Sequence, residues 1–176
     1  MNTKENTPVP VWFHEDLESI VRLVKRWGLA GLKKNRFSEV LVRGNENGSV
    51  TAKFLLGHLY EYLATREVCV KRGDGVSLIL ESAELGYQDA VDWCIEHIIA
   101  FFLEGEQGYR PYIVDMCKVA ATGGDPRAQL LYGLILMEGE LVPRNKAMSD
   151  YWVEQALGHE GFDPEAWMES LAEEFD

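Results

Sequence analysis

The segment Ala128-Gln-Leu-Leu-Tyr-Gly-Leu-Ile-Leu-Met-Glu-Gly-Glu-Leu-Val-Pro-Arg-Asn-Lys-Ala-Met-Ser-Asp-Tyr-Trp-Val-Glu-Gln-Ala156 decides the fold. Asp125 and Pro126, just ahead of it, supply an N-cap carboxylate and a proline for the first helical position, so a helix is expected to start there. The loop Gly139-Glu-Leu-Val-Pro143 interrupts it, and a second helix is expected to end near Ala156. The unit therefore reads as a helical hairpin.

The pattern recurs on both sides of this segment. Alanines stand at 52, 90, 128 and 166, each 38 residues from the next, and Gly48, Gly86 and Gly124 each precede one of them by four. Ala83 and Ala121 share the step. A glycine there can end the preceding helix in the left-handed conformation, and small residues one turn apart let neighbouring helices approach closely. From Ala52 to Tyr60 apolar residues recur at i, i+3, i+4 and i+7, which is helical periodicity. The second-repeat helix is expected over about 88–103. One hairpin cannot bury its apolar face alone, so the expected fold is all-α, a right-handed α-solenoid of stacked antiparallel helix pairs.

Residues 1–48 form the expected N-terminal cap: an amphipathic helix over 14–27, with Leu17, Ile20, Val21, Leu23 and Val24 inward, and a partner over 29–43. Repeats follow over about 49–86, 87–124 and 125–161, and 162–176 reads as an acidic capping helix opened by Asp163-Pro164. The 38-residue period fades before Gly48.

These residues resemble the Sel1-like repeat, a relative of the tetratricopeptide repeat. The third unit matches through Ala128, Gly133, Gly139, Val142-Pro143-Arg144, Trp152 and Ala156. It departs at Leu141, Asn145 and Ser149. The first unit is similar through Ala52, Leu56-Gly57, Tyr60, Gly73-Asp-Gly-Val76, Ala83 and Gly86, while the middle one keeps Ala90, Ala120-Ala121 and Gly124. The resemblance covers about 49–167 and implies a protein-binding scaffold. It implies no particular activity.

Charge narrows the partner class. The 176 residues carry a net charge of −12, which argues against nucleic acid or an anionic membrane as the principal partner. Residues 1–72 are net +4 and residues 73–176 net −16. No stretch is long and apolar enough for a membrane span, and the start has no apolar leader core, so a cytoplasmic location is expected. Cys69, Cys94 and Cys117 are odd in number and widely spaced, which fits buried thiols better than a disulfide or metal framework. His14, His58, His97 and His159 have no partner at metal-ligand spacing. No nucleophile elbow, phosphate loop or dinucleotide fingerprint occurs, and neither a catalytic residue nor a cofactor or metal is expected.

Binding is what remains. In stacked hairpins the first helices line a groove, and polar residues off their apolar stripes are candidates to face a partner. They are Lys53, His58 and Glu61 in the first repeat, Asp92, Glu96 and His97 in the second, and Arg127, Gln129 and Glu138 in the third. Asp92 and Glu96 lie one turn apart. With Asp89, Glu138, His58 and Glu61 they form the expected contact set for a basic protein partner. A basic stretch with Trp27 and Phe37 interleaved, from Lys25 to Arg43, reads as a solvated face that complements acidic surface. The sharper expectation is a non-enzymatic inhibitor or immunity protein that occludes a basic toxin or effector; the alternative is an adapter for signalling or secretion components. The chain is expected to be a monomer or a weak homodimer.

Overall fold

In the computed structural model, described for residues 12–68, 70–71, 73–103, 105 and 108–174, every regular element is helical. Nine α-helices occur among these residues: α1 Trp12–Trp27, α2 Arg36–Glu46, α3 Val50–Thr65, α4 Asp74–Glu84, α5 Gln88–Leu103, α6 Ile113–Thr122, α7 Pro126–Glu138, α8 Lys146–Leu157 and α9 Pro164–Glu174. None is long and apolar enough to cross a membrane. Two compact units divide the chain between Leu78 and Ile79, within α4.

The 38-residue step is built into the backbone. Helices α3, α5, α7 and α9 begin at 50, 88, 126 and 164, while α2, α4 and α6 end at 46, 84 and 122. The same pair of hydrogen bonds closes each of the latter. Gly48, Gly86 and Gly124 donate to the carbonyls of Asn45, Ala83 and Ala121; Ser49, Tyr87 and Asp125 donate to those of Gly44, Ser82 and Ala120. This is the Schellman arrangement, and φ of +80° at Gly86 and +91° at Gly124 is the left-handed geometry that makes it cheap only for glycine. The period thus extends to α2, where the sequence signature has faded.

The N-terminal cap departs from expectation. Instead of one helix over 29–43, a 3-10 segment Gly28–Lys34 precedes α2. The physical cause is Asn35: its extended backbone stops the first segment, and its side chain accepts from Phe37 N–H at 2.9 Å and Ser38 N–H at 3.1 Å, starting a new helix. Leu32 and Leu41 then join Ile20, Val21 and Val24 of α1 and Leu56, Leu59 and Leu63 of α3 in the core of the first unit. Each fully buried aliphatic side chain contributes about 1.5–3 kcal/mol.

In the second unit α5, α6, α7 and α8 pack in sequence, each on the next. Ala90, Ala120, Ala121, Ala128 and Ala156 are buried, which allows the close approach, and Trp93, Ile95, Ile98, Ile113, Met116 and Ile135 fill the space between. The α7–α8 contact depends on Gly133. A Cβ there would lie 2.7 Å from Val153 Cγ2 and 3.2 Å from the Ser149 carbonyl oxygen. Trp152 is half-buried beside Tyr132 and Tyr151.

Candidate partner-binding face

Within the second unit, helical periodicity lines up two facing stripes. At 100° per residue, Asp89, Asp92, Glu96, Ile99 and Leu103 of α5 fall within an arc of about 80°. On α7 the corresponding stripe is Arg127, Leu131, Leu134 and Glu138. The two are tied at one end, where Arg127 Nη2 meets Asp92 Oδ1 at 2.9 Å and Asp125 Oδ2 at 2.7 Å. Both carboxylates hold the Arg127 guanidinium proton, and the hydrogen bond to Asp125 contributes most to raising its pKa. Asp125 also caps α7 through the amides of Arg127 and Ala128. One aspartate thus starts the helix and orients the arginine that pins α5 to it.

Away from this tie the stripes become apolar. Ile99, Phe102 and Leu103 of α5, Leu131 and Leu134 of α7, and Met168 and Leu171 of α9 surround a groove of about 160 Å³ with Glu138 at its rim. Phe102, Leu103, Leu134 and Met168 are 40–47% exposed. Four large, partly exposed apolar side chains from three helices thus meet around one groove.

The expected contact residues fall into two groups. Asp89 and Glu96 are exposed on the α5 stripe, Glu138 is exposed beside the groove, and Asp92 is half-exposed in its pair with Arg127. Asp89 also accepts from the Tyr87 hydroxyl at 2.9 Å. His58 and Glu61 belong to α3 in the other unit. His58 packs edge-on against Phe54 at 4.5 Å. Glu61 is only 6% exposed, and its Oε1 accepts from the amides of Gly73, Gly75 and Val76 at the start of α4. Its carboxylate caps a helix instead of pointing outward. Gln129 is buried and donates to the Ala121 carbonyl, and His97 lies stacked on Trp93 at 3.9 Å between that ring and Tyr109.

Sequence reasoning missed the apolar half of this face. Ile99 and Leu103 continue the i, i+4, i+7, i+11 run that starts at Asp92 and Glu96, and that run was the available signal on α5. Two larger hollows in the same unit are more polar. One of about 600 Å³ lies among Asp125, Arg127, His159, Glu160 and Asp163, but Asp125 and Asp163 already cap α7 and α9. The other, about 540 Å³, lies between α4 and α6 and is lined by Glu84, Asp115 and Lys118.

Cys94 and Cys117 are buried free thiols, as their spacing suggests. Burial pushes Cys94 up to about 12 and Cys117 higher still, so neither is an activated nucleophile. Cys69 lies outside the described residues. Among the described residues no group of three or more potential metal ligands comes together. Comparison of the chain with protein-family models, with curated proteins and with solved structures returns no match.

Proposed function

We propose that the chain is a Sel1-like repeat protein whose second unit binds a basic protein, and that it acts as a non-enzymatic inhibitor of a basic toxin or effector by covering it. The observation that carries this reading is the α5/α7/α9 face, where an apolar groove adjoins Asp89, Asp92, Glu96 and Glu138. Apolar anchors supply most of the affinity of such a contact, while charges at its rim set the encounter rate and choose the partner. Residues 79–176 carry 5 basic and 20 acidic side chains. A field of that sign accelerates encounter with a cationic surface by about 10 to 10³-fold at low salt. The 38-residue recurrence of helix starts and Schellman ends supports the repeat assignment.

The test is co-purification followed by mixing. The chain is expected to retain one basic protein in a fixed ratio and to abolish that protein's activity, and Leu134→Glu is expected to lose both effects. Retention of several unrelated proteins without loss of any activity would favour an adapter. Retention of acidic proteins alone would overturn the charge argument.

A further inference from the structure

We propose that the chain also associates head to tail with a second copy of itself, the Trp27–Leu29 turn of one copy seating on the α5/α7/α9 groove of the next. The turn has what the groove lacks. Between Ile20 and Ser38 there are six basic residues and no acidic one. Trp27 is 48% and Leu29 46% exposed, large apolar side chains separated only by Gly28. The turn opens on empty space: a Cβ on Gly28 would meet nothing within 4 Å. Cations frame it, with Lys34 Nζ 4.0 Å and Arg26 Cζ 5.3 Å from the Trp27 ring centroid, and with Lys25 and Lys33 exposed.

The groove presents the complement. Its space of about 160 Å³ is close to the roughly 150 Å³ that admits a benzene ring, enough for one apolar anchor such as Leu29 with the Trp27 ring alongside. Glu138 stands at its rim, and Glu96, Asp92 and Asp89 continue the α5 stripe. A basic apolar knob and an acidic apolar groove on one chain make a heterologous contact, which builds open chains or closed rings in place of a two-fold dimer. At about 0.1 M salt the repulsion between two chains of charge −12 is screened beyond about 10 Å, while charges in contact still attract. This inference shares the groove with the function proposed above but does not require the foreign partner. Where both exist, they compete.

Sedimentation velocity on the full chain tests it, using Trp27→Ala/Leu29→Ser (knob removed) and Leu134→Glu (groove blocked), with Lys33→Glu/Lys34→Glu as a second knob variant. All these positions are exposed, and circular dichroism checks that each variant keeps its helices. The unaltered chain is expected to form larger species as its concentration rises, with association weakened by roughly tenfold between about 0.1 and about 1 M salt. Each variant alone is expected to stay monomeric. An equimolar mixture of a knob variant with the groove variant is expected to give a two-chain species and nothing larger, because one intact knob and one intact groove remain. A monomeric unaltered chain, an oligomer indifferent to these substitutions, or a mixture that stays monomeric would overturn the proposal. None of those results bears on binding of a basic partner by the knob variant, so the two readings can fail separately.

Discussion

Glu61 Oε1 lies 3.1 Å from the Gly75 amide, and Gly75 in turn sits so close to α3 that a Cβ on it would run into the Gly57 carbonyl. The same oxygen accepts from Gly73 at 3.1 Å and Val76 at 3.3 Å. A carboxylate on one helix thus satisfies three of the amide donors that the start of the next helix leaves open, and its negative charge meets the positive end of that helix. Glycine at 75 is what allows the approach. Glu61 Oε2 is buried without a hydrogen bond among the described residues.

Glu61→Ala should therefore destabilise the protein by about 1.5–3 kcal/mol, since it strands amides that were bonded to a charged group. Glu61→Gln keeps one oxygen of similar reach and should cost less than Glu61→Ala. Denaturant melts of the three proteins check the order; an alanine variant as stable as the parent would show that the cap contributes nothing.

Gly133→Val should cost about 1–3 kcal/mol by pressing on Val153 and the Ser149 carbonyl and forcing α7 and α8 apart. Gly133→Ala should show the same effect more weakly. An unchanged melting temperature for the valine variant would contradict the packing of this pair.

The buried thiols make stability depend on alkali. Burial raises Cys94 to about 12, above its value in an unfolded chain. Its contribution is then fully present below about pH 8.5 and is lost as pH rises toward 12, because the unfolded chain releases the proton first. The slope should reach about −1.4 kcal/mol per pH unit for one such thiol. Comparing Cys94→Ala with the parent between about pH 8 and 10 checks it, and parallel curves would contradict it. With Cys69 replaced by serine, a thiol reagent at neutral pH should label the native chain hardly at all and the unfolded chain at both remaining positions.

Charge reversal at Asp89 and Glu96 should leave the helices intact and cost no more than about 1–2 kcal/mol, nearly all of it from Asp89 in the first turn of α5. It should slow capture of a basic partner and flatten its salt dependence. Stopped-flow association at two salt concentrations reads both effects; unchanged rates would remove α5 from the encounter surface.

The architecture was legible where small residues mark it. Ala52, Ala90, Ala128 and the glycines before them fix helix ends to within a residue or two, because backbone approach and left-handed geometry leave few alternatives. Two features were not legible. Asn35 falls inside the helix expected over 29–43, and its extended backbone and side-chain cap divide that stretch. Glu61 lay off the apolar stripe of α3, as an exposed contact residue would, and its burial depends on amides twelve to fifteen residues away. The acidic stripe of α5 could be read from Asp92 and Glu96, but the apolar groove beside it could not. Exposure of Leu134 and Met168 depends on which neighbours cover a helix, and periodicity alone is silent on that.

Hydrogen exchange on the chain, alone and saturated with a basic protein that co-purifies with it, tests the proposed partner-binding face most directly. The account predicts slowed exchange in 88–103, 126–138 and 164–174, the helices that form the groove. Protection confined to α6 and α8, with those three helices unchanged, would contradict it.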